Sequence, residues 1–346
     1  MKKISAFTIA CFALAACAPK AVSPPVPARI VGADTIPIPL AEMGARTYKG
    51  LGGGLFSGSN TEPADHDATG RTHRNAIQPL DVNGTPSVSG RYVLMSVGGG
   101  DVSAAWCSIS SAPPCNSWSF AGRATSDLSV NHSSLVIVNG AIRDIGPAMW
   151  SSSKSANYNR IRDTRLAPLG LSEKQVQVIW MAFTDSSAEF SVTATQVEAA
   201  SGLQHIGSTI RALKERYPNL RLLFLSSKRY RGFYPGGEPQ SYESAFVVRW
   251  AIEAQINQSR GRPPNIDIGS VALSGNGAPW ISWGPYLWAN GAKPRADGLS
   301  WVRADFDSTG LRSSRQGEEK VGGILFDFFR SSTYARCWFL IGPVCN

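Results

Sequence analysis

Four apolar runs constrain this chain more than any other feature, because within them hydrophobic residues follow one another without alternation. They are RYVLMSVGG (Arg91 to Gly99), SSLVIVNGA (Ser133 to Ala141), QVQVIWMAF (Gln175 to Phe183) and NLRLLFLSS (Asn219 to Ser227). A strand with one wet face alternates polar and apolar residues, whereas an unbroken run is covered on both faces. Helical patterns lie between the runs. Val197, Ala200, Leu203, Ile206, Ile210, Leu213 and Tyr217 recur at three- and four-residue steps, behind a Thr193 and Gln196 capping pair. Tyr242 to Gln258 is a second helix, and Arg315 to Ser332 a third, entered through Ser313 and Gln316. Covered strands alternating with helices predict an α/β protein, a three-layer α/β/α sandwich with a central parallel sheet. IDIGSVALS (Ile266 to Ser274) is either a fifth strand or a loop. Thr47 to Gly84, rich in glycine and turn formers, reads as irregular surface structure leading into the domain.

The start of the chain is of another kind. MKKISAFTIACFALAAC carries Lys2 and Lys3, then apolar residues, then small residues before Cys17. It is too short and wrongly flanked to span a membrane and reads as a signal peptide over residues 1–16. LAAC (Leu14 to Cys17) resembles the bacterial lipoprotein signal. The resemblance implies cleavage before Cys17, lipid on its sulfur and attachment to a membrane. Ala18, where an inner-membrane retention signal would carry Asp, implies the outer membrane. Plain secretion with Cys17 discarded is the alternative. Residues 17–46 then form a lipid anchor and Pro-rich tether, and 47–346 a single domain.

Export places the remaining cysteines in an oxidising compartment. Cys11 leaves with the signal peptide, so Cys107, Cys115, Cys337 and Cys345 remain, an even number that points to disulfides. Pairing Cys107 with Cys115 and Cys337 with Cys345 closes two short turn-rich loops and is preferred, although two other connectivities satisfy the count. No CxxC pair or neighbouring His accompanies them, which argues against zinc. The formal charge of +9 becomes +7 once Lys2 and Lys3 are removed. Arg residues are dispersed rather than run together, which excludes a nucleic-acid stripe. What remains is a solvated, mildly basic surface, or one drawn to anionic envelope polymers.

Parallel sheets bind ligands beyond the carboxyl ends of their strands. Gly98, Gly99, Gly100 and Asp101 after the first run, and Arg143 and Asp144 after the second, therefore fall on the functional edge. GGGD lacks the lysine and spacing of a phosphate-binding loop, and a tight strand-to-helix turn accounts for its glycines. HExxH, DxDxDG and GxSxG are absent, and no motif calls for a cofactor. APWISWGPYLWANG holds Trp280, Trp283, Tyr286 and Trp288. Exposed, these would stack on sugar rings; buried, they pack a Pro-bent segment into the core, the preferred reading.

Several stretches together resemble bacterial proteins of the SGNH/GDSL hydrolase superfamily, a flavodoxin-like fold. They are YKGLGGGLFSGSNTEPADHDATG, RYVLMSVGGGD, LVIVNGA, LAPLGLSEKQVQVIW, YPNLRLLFLSSKRYRGF, YESAFVVRWAIEAQI, WISWGPYLWANG and DFDSTGLRSSRQGEEKVGGILFDFF. The resemblance implies a serine after the first strand, an Asp and His pair before the last helix, and oxyanion donors after the second and third strands. Such enzymes need all of these, since a hydroxyl is a weak nucleophile until a base takes its proton. This chain departs at each place. Gly100 stands at the serine, Thr309 and Arg312 at the Asp and His, Arg143 and Asp144 at a glycine pair, and MAFTDSS offers no Asn. An Arg stays protonated and cannot act as the base.

The resemblance therefore implies a degenerate hydrolase. Its cleft, built from Asp101, Arg143, Asp144 and Arg312, would bind carbohydrate or another envelope polymer. The alternative is a serine esterase or carbohydrate deacylase that uses Ser103, Asp307 and His66, with His66 and Asp67 reaching Ser103 from their loop. His205 lies in a helix and His132 at the wrong end of the sheet.

Overall fold

The computed structural model describes residues 35–108, 110, 113–182 and 200–345. The signal peptide, Cys17, most of the tether, the Thr193 and Gln196 pair and MAFTDSS after its second residue lie outside them. In chain order the strands are β1 (Thr47–Tyr48), β2 (Leu51–Gly52), β3 (Tyr92–Gly98), β4 (Leu135–Asn139), β5 (Val176–Ala182), β6 (Leu222–Ser226) and β7 (Trp280–Trp283). The α-helices are α1 (Ala64–Asn75), α2 (Gly100–Trp106), α3 (Phe120–Ser126), α4 (Ala156–Ile161), α5 (Ala200–Arg216), α6 (Gln240–Ser259), α7 (Arg315–Ser331) and α8 (Arg336–Phe339).

The last five strands form one parallel sheet in the order β4-β3-β5-β6-β7. Successive residues point to opposite faces, and both faces are dry. Val93, Met95 and Val97 of β3 join a core with α5 and α6, while Tyr92 and Leu94 join one with α2, α3 and α7. Trp180 on β5 stacks on Trp106 of α2 at 5.6 Å between ring centroids. This is the expected α/β/α sandwich, and the unbroken apolar runs follow from cover on both sides. The chain enters at β3, steps out to β4, then returns past β3 to β5. That reversal opens a crevice at the carboxyl ends of β3, β4 and β5. Gly98 closes β3 at φ +151, and a side chain there would lie 2.3 Å from the Ala182 carbonyl oxygen. The preferred disulfides are present, Cys107–Cys115 and Cys337–Cys345, with Cα separations of 4.4 and 5.1 Å. Among the described residues no helix is long and apolar enough to cross a membrane.

Two alternatives are decided and three expectations are corrected. Of the two readings of Ile266 to Ser274 the loop holds, and the fifth strand is Trp280–Trp283, between Pro279 and Pro285. Prolines are tolerated there because β7 is an edge strand that needs ladder bonds on one side only. Trp280, Trp283, Tyr286 and Trp288 are all buried, as the preferred reading has it, and serve the core rather than a sugar platform. Thr47 to Gly84 is not irregular surface: it contains the β1–β2 hairpin and α1. The inward face of α1 is His66, Gly70 and Arg74, at steps of four, and presents no apolar stripe to find. The packed body also begins before residue 47, since Leu40 and Met43 are buried and Tyr286 Oη accepts a hydrogen bond from Leu40 N. Finally, α7 is capped by Ser314, not Ser313: the Ser314 hydroxyl accepts from Gly317 N, and Gln316 instead donates to Asp305.

Helix α1 lies so close to β7 that a side chain on Gly70 would sit 2.3 Å from the Trp280 indole. Gly70→Ala is expected to cost about 1–3 kcal/mol in chemical denaturation through overpacking, whereas Thr72→Ala on the exposed face of the same helix should be near neutral.

Candidate functional site

A cleft of about 230 Å³ opens at the carboxyl edge, where the sheet order reverses. The β3–α2 turn contributes Gly99, Gly100 and Asp101, and the loop after β4 contributes Arg143, Asp144, Ile145 and Gly146. Arg231 enters from the segment after β6, and Leu311, Arg312, Ser313 and Glu318 from the approach to α7. The structure thus brings Gly99, Gly100, Asp101, Arg143, Asp144 and Arg312 together around one cleft. Gly98 lies beneath, ending its strand. Thr309 is outside the lining and is corrected: its hydroxyl and N–H both donate to Asp307 in a local turn. Asp144 holds φ 62, a left-handed conformation that Asp tolerates better than most residues.

One ion pair gathers three walls of this cleft. Arg229, immediately after β6, donates to Asp101 Oδ2 at 2.7 Å. The same guanidinium donates to the Ser313 hydroxyl and the Leu311 carbonyl, and lies 4.5 Å from the centroid of Phe306. Ser313 N donates in turn to Asp101 Oδ1. Each Asp101 oxygen is therefore engaged from behind the cleft, and the carboxylate does not face a ligand as a bare charge. Glu318 accepts from the Trp118 indole, and burial, with Asp101 nearby, pushes its carboxyl above the usual range. Arg229, Arg231 and Glu318 escape pattern reasoning. The one available sign was KRYRG directly after an apolar run, basic residues at the edge where parallel sheets bind.

The alternative catalytic set does not assemble. Ser103 is fully buried within α2; its hydroxyl donates to the Ser108 carbonyl and accepts from Asn139 Nδ2. Asn139 also accepts from Ser96, so these residues form a satisfied structural network under the cleft. His66 is at the opposite edge of the sheet, stacked on Trp280, with Nε2 2.9 Å from the Ile281 carbonyl oxygen. Burial holds its imidazole below the usual range, in the neutral form. Asp307 is spent on its own turn, accepting from Thr309. The chain has four histidines, and none lines the cleft. Among the described residues no group of three His, Cys, Asp or Glu side chains is placed to hold a metal ion.

His66 and Asp67 instead belong to a buried cluster where α1 meets β7 and the turn after α7. Glu62 accepts from the Ser282 hydroxyl at 2.8 Å. The Tyr334 hydroxyl lies 2.9 Å from Glu62 and 2.5 Å from Asp67. A phenol has one proton to give, so the three-way contact is complete only when one of the two carboxyls carries a proton itself. Burial accordingly raises the Glu62 carboxyl to about 7.

The fold and rim define a class: a doubly wound α/β/α protein with a polar, arginine-bearing cleft at its topological switch point. No protein-family model and no curated protein matches the chain. Among solved structures it is similar to TesA, with a TM-score of 0.36 and 11% identity, over 69% of this chain and 98% of that one. It is also similar to an extracellular lipase from Streptomyces rimosus, with a TM-score of 0.35 and 11% identity, over 68% and 99% of the two chains. Likeness at this level says nothing about chemistry.

Two outcomes follow from these contacts. Asp101→Ala leaves the Arg229 charge buried without its partner and should destabilise the protein by about 3 kcal/mol. Asp101→Leu combined with Arg229→Met should recover most of that loss in the same denaturation assay. For Glu62, a carboxyl whose folded value lies above its unfolded one contributes stability that is full below the ordinary carboxylate range and is lost as pH rises through about 7. The melting temperature of Glu62→Gln relative to wild type should therefore climb between about pH 4.5 and pH 7. A flat difference across that window would dismiss the buried proton.

Proposed function

We propose that this protein is a bacterial envelope lipoprotein of SGNH-hydrolase-like architecture, without ester-cleaving chemistry, whose switch-point cleft binds carbohydrate or another envelope polymer. One observation carries the reading. The cleft sits where such an enzyme would place its nucleophile and base, and its walls present Gly100 and Arg312 there instead. The vacancy at Gly100 is one of chemistry and not of space: a side chain would meet the Arg143 backbone and stem at 3.5–3.6 Å, ordinary contact. A permanently charged guanidinium cannot accept the proton that acyl transfer must remove. The LAAC signal, the Pro-rich tether and the disulfides support an exported, lipid-anchored protein, and the envelope supplies polymers within reach of a tethered domain.

The full chain in detergent should hydrolyse p-nitrophenyl acetate no faster than buffer, and Ser103→Ala should leave that background unchanged. It should bind at least one envelope glycan in an array screen, with binding weakened about tenfold or more by Arg312→Ala. Hydrolysis that Ser103→Ala abolishes would overturn this reading in favour of the esterase.

A further inference from the structure

The charges of the cleft do not cancel, and the surplus has a definite place. Arg143, Arg231 and Arg312 line it against Asp101, Asp144 and Glu318. Asp101 is already matched by Arg229, a fourth arginine behind the wall. Glu318 is half withdrawn from solvent and engaged by Trp118. Asp144 is 76% exposed and meets Arg312 only at 3.8 Å, beyond hydrogen-bond reach. Arg143 is partly buried and makes no hydrogen bond or ion pair among the described residues. Its stem lies against Gly100, at the centre of the rim.

A guanidinium held at a concave wall with its donors unspent is a site for an oxyanion, because its planar fork matches carboxylate or phosphate oxygens two at a time. We infer that the cleft takes an oxyanionic group on a sugar, held by Arg143 with Arg312 opposite. This rests on the reading of the cleft as a glycan site and names the substituent that the glycan must carry. The lining favours a sugar over a lipid. Among the described residues its apolar side chains are Ala104, Ile145 and Leu311, none aromatic, and a volume of about 230 Å³ suits one ring with its substituents rather than an acyl chain. Neither arginine is required by the core. Arg312 is half exposed, and Arg143 has no partner to strand among the described residues.

The test is calorimetric titration of the full chain in detergent with trigalacturonate, with its methyl ester and with inorganic phosphate as competitor. Trigalacturonate should bind at least tenfold more tightly than the ester, and its affinity should fall as salt rises. Arg143→Met and Arg312→Met should each weaken it about tenfold without changing the melting temperature. Arg143→Lys, which keeps the charge and loses the fork, should fall between. Competition by phosphate extends the support to phosphorylated glycans, and its absence narrows the oxyanion to carboxylate. Equal binding of acid and ester overturns the inference while leaving the glycan reading intact, and so does unchanged binding by Arg143→Met. Binding of neither overturns both.

Discussion

The contact between Asp101 and Arg229 organises the functional edge of this molecule. Three segments far apart in sequence converge there: the turn after β3, the segment after β6 and the loop that leads into α7. Arg229 has a side-chain exposure of 5%, so its charge is tolerable only because carboxylate, hydroxyl and carbonyl oxygens surround it. Removing water strengthens each of these bonds, and the same dryness makes each difficult to give up.

The sheet explains why those segments meet at all. In a doubly wound parallel sheet every strand delivers its following loop to the same edge, and reversal of strand order leaves a gap between neighbouring loops. Gly98 allows β3 to end tight against Ala182, and the Ser96, Asn139 and Ser103 network fixes the floor. Such a frame is indifferent to the chemistry mounted on it. With serine and histidine at two points on the rim it would move a proton. In this chain Gly100 and Arg312 line the rim, and on the proposed reading they present shape and positive charge for binding rather than for acyl transfer.

Much of the frame and half of the cleft were legible before any coordinates. The four apolar runs announced four strands because cover on both faces removes alternation. Gly99, Gly100, Asp101, Arg143 and Asp144 could be assigned to one edge from their positions after those runs, and Arg312 only through the family resemblance. Other parts left no such trace. Helix α1 buries His66, Gly70 and Arg74, so its inward face has no hydrophobic period, and its fit depends on a glycine against an indole. Strand β7 has four residues between prolines and is a strand only because β6 offers it a free edge. Ser103 and His66 looked available as a nucleophile and base because sequence carries no record of burial; one lies under the sheet edge near β4, the other beside β7.

By itself the sequence determined the layers and the strand polarity. These are local matters, read from continuous apolar runs and the helical patterns between them. Only the tertiary structure decided which charges are spent. Arg229 neutralises Asp101 across 128 residues, Trp118 engages Glu318, and Arg143 is left facing the cleft. Charge pairing acts through space over a few ångströms, so composition counts every arginine alike while the fold separates the one that holds the wall from the one left facing the cleft.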